Sequence, residues 1–342
     1  MSWIDELWYA PKWFHWPIII IFLPLTLLFW LLSATRRELF KLGIKQSIDI
    51  PVPIIVVGNI SVGGNSKTPL VVHLAKILKQ QGFYPGVLSR GYGGTGIRYP
   101  FSVNELSSAK QVGDEPVLMF QHINCPLVVD PQRPRGAMEL LSKHQCDVII
   151  CDDGLQHYAL KRDIEISVMD GHRRCGTKLL LPSGPLREGV WRNQSVDFVV
   201  VNGGRVNKNE FVMTLEPESL VNIKDPQRRL NFSNINQAVS ALAGIGNPQR
   251  FFSLLEKLQV KIKQAISFVD HHAFSQNDIP QGMVIMTEKD AVKCVEFAHD
   301  NCWYLPVRAN LSAEFDAQLL QKVKQVTQTK NKFINKEKHN GV

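Results

Sequence analysis

The chain has 342 residues, of which 44% are hydrophobic and 20% are charged, and its formal net charge is +8. This composition excludes a chain that is disordered throughout, and the six cysteines show neither a C-x-x-C pair nor a His/Cys spacing typical of zinc. The positive charge indicates an anionic partner: nucleic acid, acidic lipid headgroups and phosphorylated small molecules all qualify. The length predicts two domains, or one domain with an appendage.

The first predicted element is an uncharged apolar run from residue 13 to residue 32. A run of about 20 residues can cross the hydrocarbon core of a bilayer. Five of the seven tryptophans lie in the first 30 residues, as interfacial aromatic residues do. The basic residues that follow the run (Arg36, Arg37, Lys41 and Lys45) place the rest of the chain in the cytoplasm.

Three other interpretations of this run stay open. A cleaved signal peptide is one, although Asp5 and Glu6 precede the run and its length exceeds a typical signal-peptide core. Because Pro17 and Pro24 would kink a spanning helix, a helix lying in the membrane interface is the second. A buried core helix is the third.

A strand, a glycine-rich turn and a helix come next, in the order of a phosphate-binding loop. Apolar residues 53–57 predict the strand, and residues 70–78 carry apolar side chains at helical spacing. We expect the backbone N–H groups between them to hold phosphates, Lys67 to reach the β- and γ-phosphates, and the Thr68 hydroxyl to bind Mg²⁺. The predicted ATP-binding residues are Ser61, Val62, Gly63, Gly64, Asn65, Ser66, Lys67 and Thr68.

The turn departs from the usual G-x-x-x-x-G-K-[ST] spacing at both glycines, which are Ser61 and Ser66 here. A glycine-rich connection that binds no ligand is therefore an alternative. Position 66 raises a separate question. A serine there costs little if the backbone takes a helical φ, and it strains the loop if φ is positive.

The following strands predict where a ligand binds. Residues 147–151 form a buried strand that ends in Asp152 and Asp153, the place where a phosphate-loop enzyme carries an acidic residue for Mg²⁺. Near-continuous β-branched strands alternating with helical segments predict a mainly parallel sheet covered on both faces. Ligands of such sheets bind at the carboxyl ends of the strands, where the phosphate loop, Arg90 and Asp153 are expected.

Beyond residue 205 the pattern becomes more polar, which predicts a crossing into a second, smaller α/β domain. Asp270, His271 and His272 form an acid–histidine cluster there, for which metal binding and a solvated loop are both open. Residues 287–290 read T-E-K-D, which resembles the guanine-binding motif N/T-K-x-D except that the lysine stands one position later. We therefore assign this segment no role in guanine binding.

Together these motifs resemble the tetraacyldisaccharide 4′-kinase family, membrane-associated enzymes of lipid A assembly. The matching stretches, in chain order, are V-G-N-I-S-V-G-G-N-S-K-T-P (57–69), L-S-R-G-Y-G-G (88–94), V-G-D-E-P (112–116), D-D-G-L-Q-H (152–157), G-P-L-R-E (184–188), D-H-H-A-F (270–274) and T-E-K-D-A-V-K (287–293). The family pattern has glycine where this chain has Ser66.

The resemblance implies a kinase that uses ATP and Mg²⁺ to phosphorylate the 4′-hydroxyl of a tetraacylated, 1-phosphorylated glucosamine disaccharide. It implies Asp114 as general base, paired with His271 in a dyad that orients or relays the proton, which requires the domains to close over the substrate. Lys67 would stabilise the transferring group, and Thr68 with Asp153 would hold Mg²⁺. The residues assigned to substrate binding are Arg90, Glu115, Arg133, Asp152, His157, Arg187 and Glu188.

The predicted fold is α/β, with a P-loop NTPase-like, mainly parallel sheet, a smaller α/β domain and an N-terminal membrane helix. The expected boundaries are 1–45 for the membrane-associated helix, 46–204 for the P-loop kinase domain, 205–329 for the smaller domain and 330–342 for a polar tail. The implied location is the inner (cytoplasmic) membrane, with the globular part on its cytoplasmic face.

The implied partners are the acylated glucosamine disaccharide phosphate and membrane lipids, with no nucleic acid and no obligate protein partner evident. A membrane-tethered P-loop NTPase that acts as a switch on a protein partner is the alternative, against which stand the lack of a guanine motif and the presence of substrate-type clusters. A nucleic-acid-binding module rests on charge alone, because no basic, aromatic-interleaved motif accompanies it.

Overall fold

The computed structural model describes residues 3–63 and 66–339, with side chains to residue 332, so the predicted ATP-binding residues Gly64 and Asn65 lie outside the described residues. The helices are α1 (Trp3–Tyr9), α2 (Trp16–Lys41), α3 (Lys67–Gln80), α4 (Ala109–Val112), α5 (Asp114–His122), α6 (Arg133–His144), α7 (Arg192–Ser195), α8 (Pro248–Lys257), α9 (Glu288–Cys294) and α10 (Ala313–His339). The strands are β1 (Ile54–Gly58), β2 (Pro85–Ser89), β3 (Phe101–Ser102), β4 (Leu127–Val129), β5 (Val148–Asp152), β6 (Ile164–Asp170), β7 (Phe198–Asn202), β8 (Phe211–Pro217), β9 (Leu220–Asn222), β10 (Arg229–Leu230), β11 (Val239–Ala243), β12 (Ile262–Ser267), β13 (Val284–Thr287), β14 (Cys302–Leu305) and β15 (Val307–Leu311).

The larger sheet has nine strands in the order β15-β8-β7-β6-β1-β5-β2-β4-β3. The seven strands from β8 to β4 in this order run parallel, and the antiparallel strands β15 and β3 lie at its two edges. Ile55 and Val57 of β1 pack with Leu70 of α3 on one face of the sheet, and Ile54 packs with Leu140 of α6 on the other. Because successive strand residues face opposite sides, helices cover both faces, and the predicted fold class is confirmed.

The smaller sheet has six strands in the order β10-β9-β14-β13-β11-β12 and lies within residues 220–305. We call this part the second lobe and the part around the nine-stranded sheet the first lobe. The strand order divides the chain differently from the expected boundaries at residues 205 and 330. Strands β8 and β15 join the first sheet, and Phe315 and Leu319 of α10 bury their side chains in the first core. Hydrophobic burial therefore returns the end of the chain to the first lobe.

Helix α10 continues to residue 339, so the helix includes most of the stretch expected as a polar tail. The Lys330 ammonium donates to the carbonyl oxygen of Ile50 at 2.6 Å and lies 3.0 Å from a carboxylate oxygen of Asp163. These contacts attach residue 330 to the first lobe.

Within the described residues, Trp13–Lys41 is the one helical stretch that is long and apolar enough to cross a membrane. Most of its apolar side chains are exposed, while Ile19 and Thr26 are buried. The Thr26 hydroxyl donates to the Ser183 hydroxyl at 2.8 Å, and the Ser183 hydroxyl donates to the carbonyl oxygen of Ile19 at 3.0 Å. Helix α2 therefore lies along the first lobe and stays helical through Pro24.

Candidate active site

A cavity of about 1970 Å³ opens between the two lobes, at the carboxyl ends of the central strands. Lys67 and Thr68 of α3 line it on the first lobe, and His271 lines it on the second. Its wall continues to α2, where Trp30 and Ser33 contribute. A single cavity thus joins the predicted phosphate loop, the acid–histidine cluster and the apolar helix.

The phosphate loop connects β1 to α3, as the spacing predicts. Lys67 is the first residue of α3, and its ammonium lies 3.3 Å from Asp153 Oδ1 and 3.4 Å from Asn59 Oδ1. The N-terminus of a helix carries unpaired N–H groups and a partial positive charge. Together with the lysine, this end of α3 can bind phosphate oxygens.

Ser66 adopts the left-handed conformation, with φ 61° and ψ 41°. The backbone at position 66 therefore takes the positive φ that strains a serine. A non-glycine residue in this region costs roughly 1–2 kcal/mol. The Ser66 hydroxyl accepts a hydrogen bond from Asn202 Nδ2 at 2.6 Å, and Asn202 in turn accepts one from Arg250 of the second lobe. This chain of contacts holds Ser66 in place.

Replacing Ser66 separates the strain from the hydrogen bond. We expect Ser66→Ala to lower the free energy of unfolding by about 1 kcal/mol, because it keeps the strained φ and loses the bond from Asn202. Ser66→Gly should be the more stable of the two variants, because glycine adopts positive φ at no steric cost. Urea unfolding of both variants measures the difference, and equal stabilities would contradict the strain.

The two carboxylates at the end of β5 occupy different environments. Asp153 pairs with Lys67 and with Arg187, whose Nη1 lies 3.2 Å from Asp153 Oδ2. Burial acts to raise the pKa of Asp153, but these two cations hold it well below its usual range. Asp152 is buried, and burial followed by the nearby Glu115 charge raises its pKa to about 7. Among the described residues, its Oδ1 finds no hydrogen-bond donor.

Asp114 and His271 meet across the two lobes. Asp114 begins α5 directly after Gly113, where φ is 94° and a Cβ atom would lie 2.4 Å from the carbonyl oxygen of Tyr92. Only glycine fits this turn, which presents Asp114 to the second lobe. His271 Nδ1 lies 3.0 Å from Asp114 Oδ2, and Asp114 Oδ1 accepts from the backbone N–H of Glu115 at 2.9 Å.

The two members of this pair differ in exposure and in basicity. The Asp114 side chain is 5% exposed and that of His271 is 31% exposed, and His271 lines the cavity. Burial acts to raise the pKa of Asp114, but the hydrogen bond from His271 and the Lys289 charge lower it below its usual value. The same hydrogen bond raises the pKa of His271. The imidazole is thus both the accessible group and the more basic one.

Most residues assigned to substrate binding line this cavity: Arg90, Glu115, Asp152, His157, Arg187 and Glu188. Burial, followed by the Arg133 charge, lowers the pKa of His157 to about 4, so its ring is neutral at physiological pH. The Glu188 carboxylate accepts from Gln156 Nε2 at 2.8 Å and from the Tyr158 hydroxyl.

Arg133 lies elsewhere. Its side chain is buried and donates to the carbonyl oxygens of Asp130 at 2.9 Å and Asp152 at 2.8 Å. The guanidinium therefore connects the ends of β4 and β5 beneath the cavity, and it positions the acidic strand end rather than reaching into the cavity. Burial also lowers its pKa.

The family model for tetraacyldisaccharide-1-P 4′-kinase matches residues 18–324. The chain belongs to this family. A tetraacyldisaccharide 4′-kinase of Pseudoalteromonas atlantica is 59% identical over 304 residues, which cover 89% of this chain and 100% of the relative. One of Shewanella frigidimarina is 48% identical over 331 residues, covering 96% of this chain and 97% of the relative.

The chain is also similar to a solved member of the tetraacyldisaccharide 4′-kinase family. The crystal structure of LpxK from Aquifex aeolicus in complex with ATP superimposes with a TM-score of 0.75 at 29% identity. The match covers 91% of this chain and 99% of the other. The family resemblance of the motifs is therefore confirmed, and so is the fold that it implied.

Several residues that line or support the cavity are not among those predicted from the sequence. Lys289 lies in T-E-K-D-A-V-K, which carried the resemblance, but the comparison with the guanine motif left its lysine without a role. Tyr9 of α1 donates its hydroxyl to the carbonyl oxygen of Val62 in the phosphate loop at 3.3 Å. Arg250 and Asn202 connect the lobes beside Ser66. No local pattern marks Tyr9, Arg250 or Asn202.

Proposed function

We propose that this family member transfers the γ-phosphate of ATP to the 4′-hydroxyl of a tetraacyldisaccharide 1-phosphate in lipid A biosynthesis. The observation that carries the proposal is the continuity of the cavity from Lys67 and His271 to the apolar helix α2. A nucleotide alone needs only the lysine and the phosphate loop around it. A substrate that bears both a sugar hydroxyl and acyl chains needs all three.

The phosphate loop supplies the nucleotide end of the site. Lys67 and the N–H groups at the start of α3 would bind the phosphates and stabilise the charge that develops during transfer. Thr68 and an acidic residue of β5 would hold Mg²⁺, which neutralises phosphate charge when bound. The buried Asp152 Oδ1 fits such a cation, because it has no donor among the described residues. Asp153, the residue expected from the sequence, already pairs with Lys67 and Arg187, so we propose that Asp152 takes the larger part.

The acid–histidine pair supplies the acceptor end. With its proton on Nδ1 donated to Asp114, neutral His271 keeps a lone pair on Nε2, which can accept the proton of the 4′-hydroxyl. Asp114 then orients the ring and stabilises the imidazolium. This assignment exchanges the expected roles, because the lowered pKa of Asp114 makes it the weaker base and its burial removes it from the acceptor.

The apolar helix supplies the membrane contact. Thr26, in the middle of the apolar run, is held to Ser183 of the first lobe, so a bilayer-spanning position would draw that lobe into the hydrocarbon. We therefore propose that α2 lies in the interface of the inner membrane, on its cytoplasmic side, with its exposed apolar face inserted. The acyl chains of the substrate would reach the cavity from the same surface.

Charging the exposed face of α2 should weaken membrane binding. Ile21 and Leu27 are 72% and 64% exposed, so replacing both by glutamate removes apolar contact with lipid without disturbing a core. We expect the double variant to sediment less with vesicles and to lose activity on vesicle-borne lipid, while it keeps activity on substrate dispersed in detergent. Glutamate at Leu106, which is 91% exposed in the first lobe, is the control. Unchanged sedimentation would contradict the interfacial position.

The activity is tested with purified protein, Mg²⁺, ATP labelled in its γ-phosphate and the disaccharide lipid. We expect a labelled bisphosphate whose new phosphate is at the 4′ position. No labelled lipid would overturn the proposed function. ATP hydrolysis at an equal rate without lipid would favour a nucleotide-driven switch instead.

A further inference from the structure

Helix α9 of the second lobe docks on α5 of the first lobe through contacts between polar and charged side chains. The Lys289 ammonium lies 3.1 Å from Glu115 Oε1, and His122 Nε2 lies 2.7 Å from Glu288 Oε1. Lys289 also lies 3.4 Å from Asp270 Oδ1 and 3.9 Å from Asp114 Oδ2. Its side chain is only 16% exposed. One partly buried ammonium thus faces three carboxylates from two segments that are distant in sequence.

We propose that Lys289 is a positioning residue for phosphoryl transfer: it holds Asp270 beside Glu115 and thereby keeps the adjacent His271 in hydrogen-bond contact with Asp114. The proposal rests on the proposed function. Its basis is geometric, because Asp270 and His271 are neighbours on the segment that follows β12. The backbone N–H of His271 also donates to Asp270 Oδ1 at 3.1 Å, so an anchored Asp270 fixes the backbone of the histidine.

A purely structural role explains this lysine poorly. Burying an ammonium is costly even when it is paired, and an apolar side chain often stabilises such a position as well. Removing the charge here has a further effect, since Asp114, Glu115 and Asp270 would then repel one another beside the dyad. Because the contacts between His122 and Glu288 and between Lys293 and Asp114 remain, α5 and α9 stay connected when Lys289 is replaced.

The charges around His271 determine how the site responds to pH. From α5 the ring meets Asp114, with Glu115 behind it; from its own segment it meets Asp270; from α9 come Lys289 and Lys293; and the Tyr92 ring lies 5.1 Å away. The Lys289 charge lowers the pKa of His271, and the Asp270 charge raises it. The hydrogen bond with Asp114 raises this pKa more than either charge changes it, so a variant that loses the bond should have a lower His271 pKa even where a repelling charge is removed.

The test compares four variants of the full chain by the pH dependence of kcat. Lys289→Met should reduce kcat by about 10²-fold, as misplacing a catalytic group does, with the KM for ATP nearly unchanged. The acid limb of its profile should move to lower pH, because loss of the hydrogen bond with Asp114, the largest factor that raises the His271 pKa, outweighs loss of the repelling Lys289 charge. Lys289→Arg should return the acid limb to its wild-type pH. Asp270→Asn should move the acid limb to lower pH. The control, Lys263→Met on the exposed face of β12, should behave as wild type.

The outcomes separate the two proposals. A wild-type chain without kinase activity contradicts the proposed function. An active wild type with unchanged kcat and limb in Lys289→Met overturns the positioning role alone. If Lys289→Met does not fold, Lys289→Arg and Asp270→Asn decide: an unshifted limb in Asp270→Asn overturns the proposal, and a shift to lower pH supports it.

Discussion

Replacing His271 by glutamine should lower kcat by about 10²–10⁴-fold, the usual range for removing a general base, while ATP still binds. Glutamine can keep a hydrogen bond to Asp114, but it cannot accept the proton of the 4′-hydroxyl. Asp114→Asn should cost a comparable factor, because the asparagine amide can donate to Nδ1 and so favours the tautomer that carries its proton on Nε2. Single-turnover rates and the binding of a non-hydrolysable ATP analogue separate chemistry from affinity. The matched control is His299→Gln, because the ring of His299 hydrogen-bonds to the carbonyl oxygen of Pro280 in the second lobe.

The pH profile distinguishes which member of the pair is the base. The pKa of His271 is raised above its ordinary value of about 6.5, chiefly by the hydrogen bond with Asp114. If neutral His271 is the base, kcat should fall as pH drops through that raised pKa. If Asp114 is the base, its lowered pKa would keep kcat flat across neutral pH, and His271→Gln would retain most activity. A flat profile would therefore contradict the role of His271.

Replacing Lys67 by methionine should reduce kcat by about 10²–10³-fold, as loss of one preorganised donor to a developing charge does. The ammonium lies at the start of α3 and is held by Asp153 and Asn59, so its position is set before nucleotide binds. Arginine should not restore activity, because its planar, longer group does not fit a place built for a point charge. Initial rates and the KM for ATP measure the effect.

The control for this prediction lies on the same helix. Lys79 of α3 is exposed and donates to the backbone carbonyl oxygen of Asn124, so Lys79→Met changes the same charge outside the cavity. We expect that variant to keep the wild-type kcat. A Lys67→Met variant that phosphorylates lipid at the wild-type rate would remove the lysine from the transfer step. That result would also favour the alternative interpretation, in which the loop is a glycine-rich connection that binds no ligand.

Several features of this protein are readable from local sequence. The strand, turn and helix around residues 61–68 follow from hydrophobic periodicity and glycine placement, which act over a few residues. The sequence predicts Asp152 and Asp153 beside the loop, because the carboxyl ends of parallel strands meet at one edge of the sheet. The apolar run of α2 was visible for the same local reason. Fold class and family followed from the number and order of such stretches.

Other features depend on the folded chain. Asp114 and His271 are 157 residues apart, and Lys289 and Glu115 are 174 apart, so no spacing rule joins them. Their protonation is decided by burial and by charges that only folding assembles. For the same reason Arg133 could be assigned to the substrate, although its side chain is buried under β5.

The sequence by itself determined the phosphate-loop fold, the paired acids and the apolar N-terminal helix, because local patterning specifies strands, turns and apolar faces. Only the tertiary structure decided that Ser66 adopts a positive φ and accepts a hydrogen bond from Asn202. It likewise decided that α10 packs into the core of the first lobe. It also decided that His271, rather than Asp114, faces the cavity. The physical reason is that backbone strain, burial and pKa depend on neighbours in space, which the linear order of residues does not contain.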